Sequence, residues 1–293
     1  TVARNVKDGL VVTATGSSEV IPYLKGTLVL PAAFIFFFIY SKLASLLSKQ
    51  ALFYTIIGGF IGFFVLFATV LYPMHGYLHP TTSADALQAM LPAGFKGLVD
   101  VYRVWTFSLF YTMSELWGAA VSALMFWQFA NDVIRVQEAK RFYAIFALGA
   151  NFSGLISGEF AQHLEGLSFI PVMSFYKGNE WIFLQVCSVL LIGAIIISLF
   201  WWLNKTFYSK SMITGADGSV TVSKVKQKSE KLSLRECFSY LRKSRYLTYM
   251  VIIVVGYNIV YNLSDTMWTY QITLVSQTSK EINAYMNHIT SLT

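Results

Sequence analysis

The stretch 104-VWTFSLFYTMSELWGAAVSALMFWQFAN-131 holds a single charged residue, Glu115. As a helix rising about 1.5 Å per residue it would reach roughly 42 Å. That is enough to cross a bilayer core of about 30 Å. A carboxylate at such depth costs at least a few kcal/mol. Glu115 must therefore be held by a partner or serve a function of its own.

The rest of the chain has the same character. Of its 293 residues 55% are hydrophobic and 13% charged, against about 25% charged in soluble domains. Mean hydropathy is +0.55. These values indicate an integral membrane protein, and the long unbroken apolar runs select helices over a barrel. The expected class is an all-α membrane protein. The expected spans are 1–14, 20–41, 50–71, 103–130, 142–163, 180–203 and 246–270, with an eighth starting near 280. Pro31 is expected to kink the second span without ending it, because packed membrane helices can satisfy the freed carbonyl. Gly58 with Gly62, and Gly154 with Gly158, are spaced for close helix packing.

Fifteen of the 22 Lys and Arg residues lie in three connections: after the second span, after the fourth, and in the segment 204–245. All three fall on one side if the spans alternate, and that side is expected to be cytoplasmic. The net charge of +7 therefore reads as basic loops, not as a nucleic-acid surface. Six spans, a basic linker and further spans are the layout of a twelve-helix transporter with two six-helix halves. Residues 1–203 would be the first half, 204–245 the cytoplasmic linker and 246–293 the start of the second half. The opening TVARNVKDGLVVTA reads as the tail of a helix begun upstream, so a piece of a longer chain is expected.

Several polar side chains stand out. Arg4, Lys7 and Asp8 share one helical face, and an i,i+4 pair of Arg4 with Asp8 would leave Lys7 to act elsewhere. That face either looks into a cavity or meets water at the helix end. Glu115 pairs with Arg4 or Lys7, or has a substrate or coupling role. Asn258, Asn262 and Asp265 form a polar stripe on an apolar helix. Asn151 offers both a donor and an acceptor, for a base edge or for a neighbouring helix. Tyr111 and Trp117 could face a base or pack. His75 and His79 have a metal-like spacing, but Gly76 and Pro80 argue against a helix there, and no metal site is expected. Cys187 and Cys237 lie in unlike segments and form no disulfide framework. There is no GxxxxGK[ST] loop and no catalytic constellation, so no enzyme and no cofactor is expected.

RNVKDGLVVTATGSSEVIPYLK, YP followed by LHP, SELWGAAVSALMFWQFAND and EAKRFYAIFALGANFSGLISG together resemble the nucleotide (ATP/ADP) transporters of plastids and obligate intracellular bacteria. The resemblance covers nearly the whole chain. It implies a major-facilitator-like bundle, alternating access to a central nucleotide site, and a bacterial inner membrane or plastid inner envelope with the basic loops cytoplasmic or stromal. It also implies that Lys7 and Glu115 are the family's functional intramembrane charges. Asp265 stands where the family has a glutamate, and Thr269 where it has a lysine. That departure bears on strict ATP/ADP exchange and fits proton-driven import of nucleotides or NAD as an alternative. Substrate contacts are expected from Arg4, Lys7, Tyr111, Glu115, Asn151 and Asp265, and coupling or ion pairing from Asp8, Glu115 and Asp265. A monomer is expected. The rivals from other classes are a membrane receptor or scaffold acting through the basic segment, and a channel.

Overall fold

The computed structural model describes residues 2–134, 141–146, 148–149, 180–208, 243–275 and 281–282, with single positions 152, 156, 159, 163 and 285 besides. These residues form helices and short turns, with no strand among them. The chain divides into two compact units, 1–197 with 269–293, and 198–268. Among the described residues, four helices are long and apolar enough to cross a membrane: Val20–Leu46, Lys49–Leu71, Ile182–Thr206 and Arg245–Ile272.

In the first unit α1 is Val2–Thr15. It ends at Gly16, whose φ of 68° is left-handed and suits a residue without Cβ. The helix α2 spans Val20–Leu46 without interruption. Its turn at Lys25–Val29 is π-type, and the Leu30 N–H donates to the Lys25 carbonyl five residues back. Pro31, which has no N–H to give, follows directly, so the widened turn accommodates the missing donor. The helix α3, Lys49–Leu71, starts at Ser48, whose hydroxyl accepts from the Ala51 N–H at 3.3 Å.

The connection from 72 to 103, which hydropathy leaves without an element, is helical. It holds α4 (His75–Leu78), α5 (Thr81–Met90), a 3₁₀ turn at Ala93–Phe95 and α6 (Lys96–Arg103). The one turn of α4 departs from the sequence reading. Pro80 lies just beyond it and terminates it rather than preventing it. The expected helix at 103–130 begins two residues later, because Val104 leaves helical geometry (φ −112°, ψ 43°). Then α7 (Trp105–Gly118) runs on through π turns at Ala119–Phe126 into Trp127–Val133. The described residues between 141 and 163 are helical. The helices α8 (Glu180–Leu203) and α9 (Arg245–Val275) follow. The former has the expected bounds, and the latter runs five residues beyond its expected end.

The core of the first unit is aromatic. The rings of Phe67 and Phe110 stack with centroids 4.2 Å apart, and Phe64 meets Phe110 edge-on at 5.9 Å. Trp117 sets its edge against Phe60 and Phe64 at 5.6 and 5.9 Å. Such pairs add about 0.5–1.5 kcal/mol beyond area burial. Trp117 is thus a packing residue. A second cluster joins Tyr72, His75, His79 and Phe107. His79 Nε2 lies 2.6 Å from Thr106 Oγ1. Burial, and the neighbouring His75, push His79 down to about 4, so its ring is neutral near pH 7.

Close approach occurs at glycines other than those singled out by spacing. A Cβ on Gly58 or Gly62 would meet nothing within 4 Å. A Cβ on Gly97 would come 2.1 Å from the Tyr23 ring, and one on Gly193 2.9 Å from Ile61 Cδ1. Gly154 and Gly158 lie outside the described residues. Tyr23 also donates its hydroxyl to the Gly94 carbonyl at 2.7 Å, which docks α6 on the start of α2. Arg103 ties this hairpin together by pairing with Asp85 and donating to Gln88 at 2.7 Å.

In the second unit, Lys205 Nζ sits 4.9 Å from the Trp201 ring centroid. Most side chains of α9 between residues 245 and 268 are exposed. In a bilayer the apolar ones suit lipid or further helices.

Candidate functional site

The site is built on the face where α1 packs against α7. Val6, Leu10 and Val11 are buried on α1, as are Phe107, Phe110 and Leu116 on α7. This apolar frame excludes water from whatever polar groups it encloses. It encloses Lys7, whose side chain is 1% exposed.

Three groups surround the Lys7 ammonium. It donates to Asp8 Oδ1 at 2.6 Å and pairs with Glu115 Oε1 at 3.1 Å. It also sits 3.9 Å from the centroid of the Tyr111 ring. A buried cation over an aromatic face is stabilised by about 2 kcal/mol. Removing one partner of a buried pair costs about 3–5 kcal/mol, because the other charge is left uncompensated. The two carboxylates differ in access: the Asp8 side chain is 4% exposed and that of Glu115 is 32%. Only the Glu115 side of the pair is open. Lys7, Asp8 and Glu115 together carry a formal charge of −1, so an anion would compete with Glu115 for Lys7. On the same helix as Glu115, Ser114 Oγ is buried and has no hydrogen-bond partner among the described residues.

The sequence reading placed Glu115 next to Lys7 or Arg4, and the structure brings Lys7 and Glu115 together. It also joins Lys7 to Asp8, so Lys7 is not left over by an Arg4–Asp8 pair. Neighbouring residues on a helix point about 100° apart, and periodicity pairs positions three or four apart. The long lysine stem curls around the helix to close this contact, which spacing does not reveal. The Arg4 side chain lies outside the described residues. Tyr111, expected to offer a face to a base, is fully buried with its ring against Lys7.

Asn151 lies outside the described residues. Asp265 is half-buried on α9, in the 198–268 unit. On the same helix Asn258 donates to the Val254 carbonyl and Asn262 to the Asn258 carbonyl, each at 2.8 Å. Thr269 is buried in the first unit. At the end of the expected 142–163 span, His163 Nδ1 lies 3.0 Å from the Glu159 carbonyl oxygen.

Comparison with known proteins gives a consistent result. The sequence model of one family, described as TLC ATP/ADP transporter, matches residues 1–293. The chain is 40% identical over 297 residues to ADP,ATP carrier protein 1 of Chlamydia muridarum, covering 98% of this chain and 54% of that protein. It is 36% identical over 296 residues to the chloroplastic ADP,ATP carrier protein 1 of Arabidopsis thaliana, covering 100% of this chain and 46% of that protein. It is 38% identical over 295 residues to the plastidic ATP/ADP-transporter of Solanum tuberosum, covering 100% and 45%. The chain therefore spans about half the length of the curated relatives it matches. No solved structure matches it.

Proposed function

The chain belongs to the TLC ATP/ADP transporter family, and on that premise we propose that the complete protein is a membrane carrier that exchanges ATP for ADP by alternating access. Its bundle is major-facilitator-like and monomeric, in a bacterial inner membrane or plastid inner envelope. The 204–245 linker and the other basic loops face the cytoplasm or stroma. The carrier moves its substrate unchanged and makes or breaks no bond.

The observation that supports this reading best is a fully buried Lys7 held between Asp8 and the more open Glu115. A nucleotide brings several negative charges toward the bilayer midplane. Lys7 takes a phosphate oxygen as a point charge, and Arg4 assists as a fork. Glu115 is acceptor-only when ionised and does not touch phosphate. It holds Lys7 while the site is empty and yields it when substrate arrives. The exchange keeps the cation paired in both states, which avoids the penalty of an unpaired buried charge.

The test is uptake of labelled ATP by liposomes carrying the complete protein and loaded with ADP. Uptake that requires internal ADP is expected. Lys7→Ala should raise KM by about ten- to hundredfold, since one charged hydrogen bond contributes about 1.5–3 kcal/mol. No uptake of any nucleotide by folded protein would overturn the proposal. Uptake driven by a proton gradient without internal nucleotide would favour proton-coupled import of nucleotides or NAD, the reading to which Thr269 in the family's lysine position points.

A further inference from the structure

The first unit holds a groove of about 450 Å³ between α2, α6 and α7. That lies in the range of about 300–1,000 Å³ for pockets that take one small ligand. Helical spacing builds its walls. Leu28 and Ala32 are four apart on α2, and Trp105, Ser108, Leu109 and Thr112 fall at i, i+3, i+4 and i+7 on α7. The α7 wall is thus about two turns long, roughly 10 Å.

The groove is apolar even where its residues are not. Ser108 and Thr112 are buried, and both protons are used within the chain. Ser108 donates to the Val101 carbonyl and Thr112 to the Ser108 carbonyl, each at 2.9 Å. Tyr102, Trp105 and Leu109 also line it and are 36–45% exposed. Trp105 Nε1 donates to the Leu78 carbonyl at 2.8 Å, and the Tyr102 hydroxyl lies 3.3 Å from Ser83 Oγ. Aromatic rings with one polar end settle at headgroup depth. The groove therefore opens at the membrane interface and runs inward along two membrane helices.

A cation stands at its interfacial end. Lys25, half-buried, continues the stripe of Leu28 and Ala32 one turn toward the start of α2. Along α2 the next charge is Lys42. The charges of the neighbouring hairpin pair among themselves: Lys96 with Asp100, and Arg103 with Asp85 and Asp100. A helix is about 10–12 Å across, and membrane helices meet closely over small residues. This groove is instead rimmed by Tyr, Trp and Leu, which leave room for a thin, flexible chain. A phospholipid supplies both parts, a hydrocarbon tail for the groove and a phosphate for Lys25.

We propose that the groove binds one phospholipid from the leaflet opposite the basic loops, with an acyl chain along Leu28, Ala32 and Leu109 and its phosphate on Lys25. The lipid fills the gap where the hairpin meets α2 and α7 and ties the three elements together. The site rests on the membrane reading and does not depend on which nucleotide the carrier moves.

The experiment places the complete protein in phosphatidylcholine vesicles containing phosphatidylglycerol with a photoactivatable acyl chain, and maps adducts by peptide mass spectrometry. Adducts should concentrate on Leu28, Ala32 and Leu109 and be sparse on Phe34 and Phe37, which point to the other side of α2. Ala32→Trp, which fills the groove, should abolish the groove adducts and leave the sparse ones unchanged. Lys25→Gln should weaken groove labelling by phosphatidylglycerol about fivefold, the contribution of one lysine at an anionic surface. It should not change labelling by diacylglycerol carrying the same tail. Phosphatidylglycerol should also raise the unfolding temperature of wild type in detergent and not that of Ala32→Trp. If Ala32→Trp does not fold, Leu109→Trp replaces it. Adducts spread evenly around α2 overturn the site, as does their absence from the groove of folded wild type, the result if a helix of the second half covers it. Groove adducts unchanged by the folded tryptophan variant overturn it too. Equal loss of both probes in Lys25→Gln overturns the phosphate contact.

Discussion

Asp8 and Glu115 show how burial sets the weight of a charge. Both contact the same ammonium, yet Asp8 is nearly sealed and Glu115 is about one-third exposed. Water can partly replace Glu115 if its charge is removed, whereas little water can reach the sealed position of Asp8. Asp8→Asn should therefore destabilise the protein by an amount approaching the ~3–5 kcal/mol of a broken buried pair, and Glu115→Gln by clearly less. Thermal unfolding of the two variants in detergent checks this. Equal shifts would mean that the difference in exposure has no energetic consequence. On the proposed exchange, the carboxylate with the smaller structural cost, Glu115, is the one expected to yield its partner to substrate.

At the scale of elements, the helical hairpin between α3 and α7 meets the start of α2 at a close contact. Gly97 admits the Tyr23 ring where any Cβ would collide at 2.1 Å. Overpacking of this kind costs about 1–3 kcal/mol. Gly97→Ala should lower the unfolding temperature accordingly, and adding Tyr23→Ala should recover part of the loss, because residues in contact are not additive. Additive effects in the double variant would place the strain elsewhere. Hydropathy located the long helices α2, α3, α8 and α9 to within about five residues, since each is a long apolar run. It left the hairpin blank, because short amphipathic helices between spans give only a weak periodic signal. The small-xxx-small spacing marked Gly58 and Gly62, whereas the contacts are at Gly97 and Gly193. Spacing shows which faces are smooth, not which faces meet.

Across the whole molecule, 15 of the 22 lysines and arginines lie in three connections, which alternation of the expected spans would put on one side. With Cys187→Ser as background, a membrane-impermeant maleimide should reach Cys237, in the basic segment, only from the cytoplasmic side. A Ser83→Cys probe in the α5 hairpin should react from the opposite side. Labelling of both from one side would refute the orientation. The chain matches about half the length of its relatives, so tests of transport belong to the complete protein.

The sequence alone determined that this is a helical membrane protein, where most of its long helices run and which family it belongs to. All of these follow from apolar run length and from residue patterns that are local in the chain. It also marked Lys7 and Glu115 as charges that needed an explanation. Only the tertiary structure decided that Lys7 is shared by Asp8 and Glu115, and that the Tyr111 ring lies against the lysine. Those outcomes depend on how α1 is rotated against α7 and on how far a lysine stem curls around its own helix. Burial of each carboxylate is a property of the packed pair of helices, and neither helix encodes it alone.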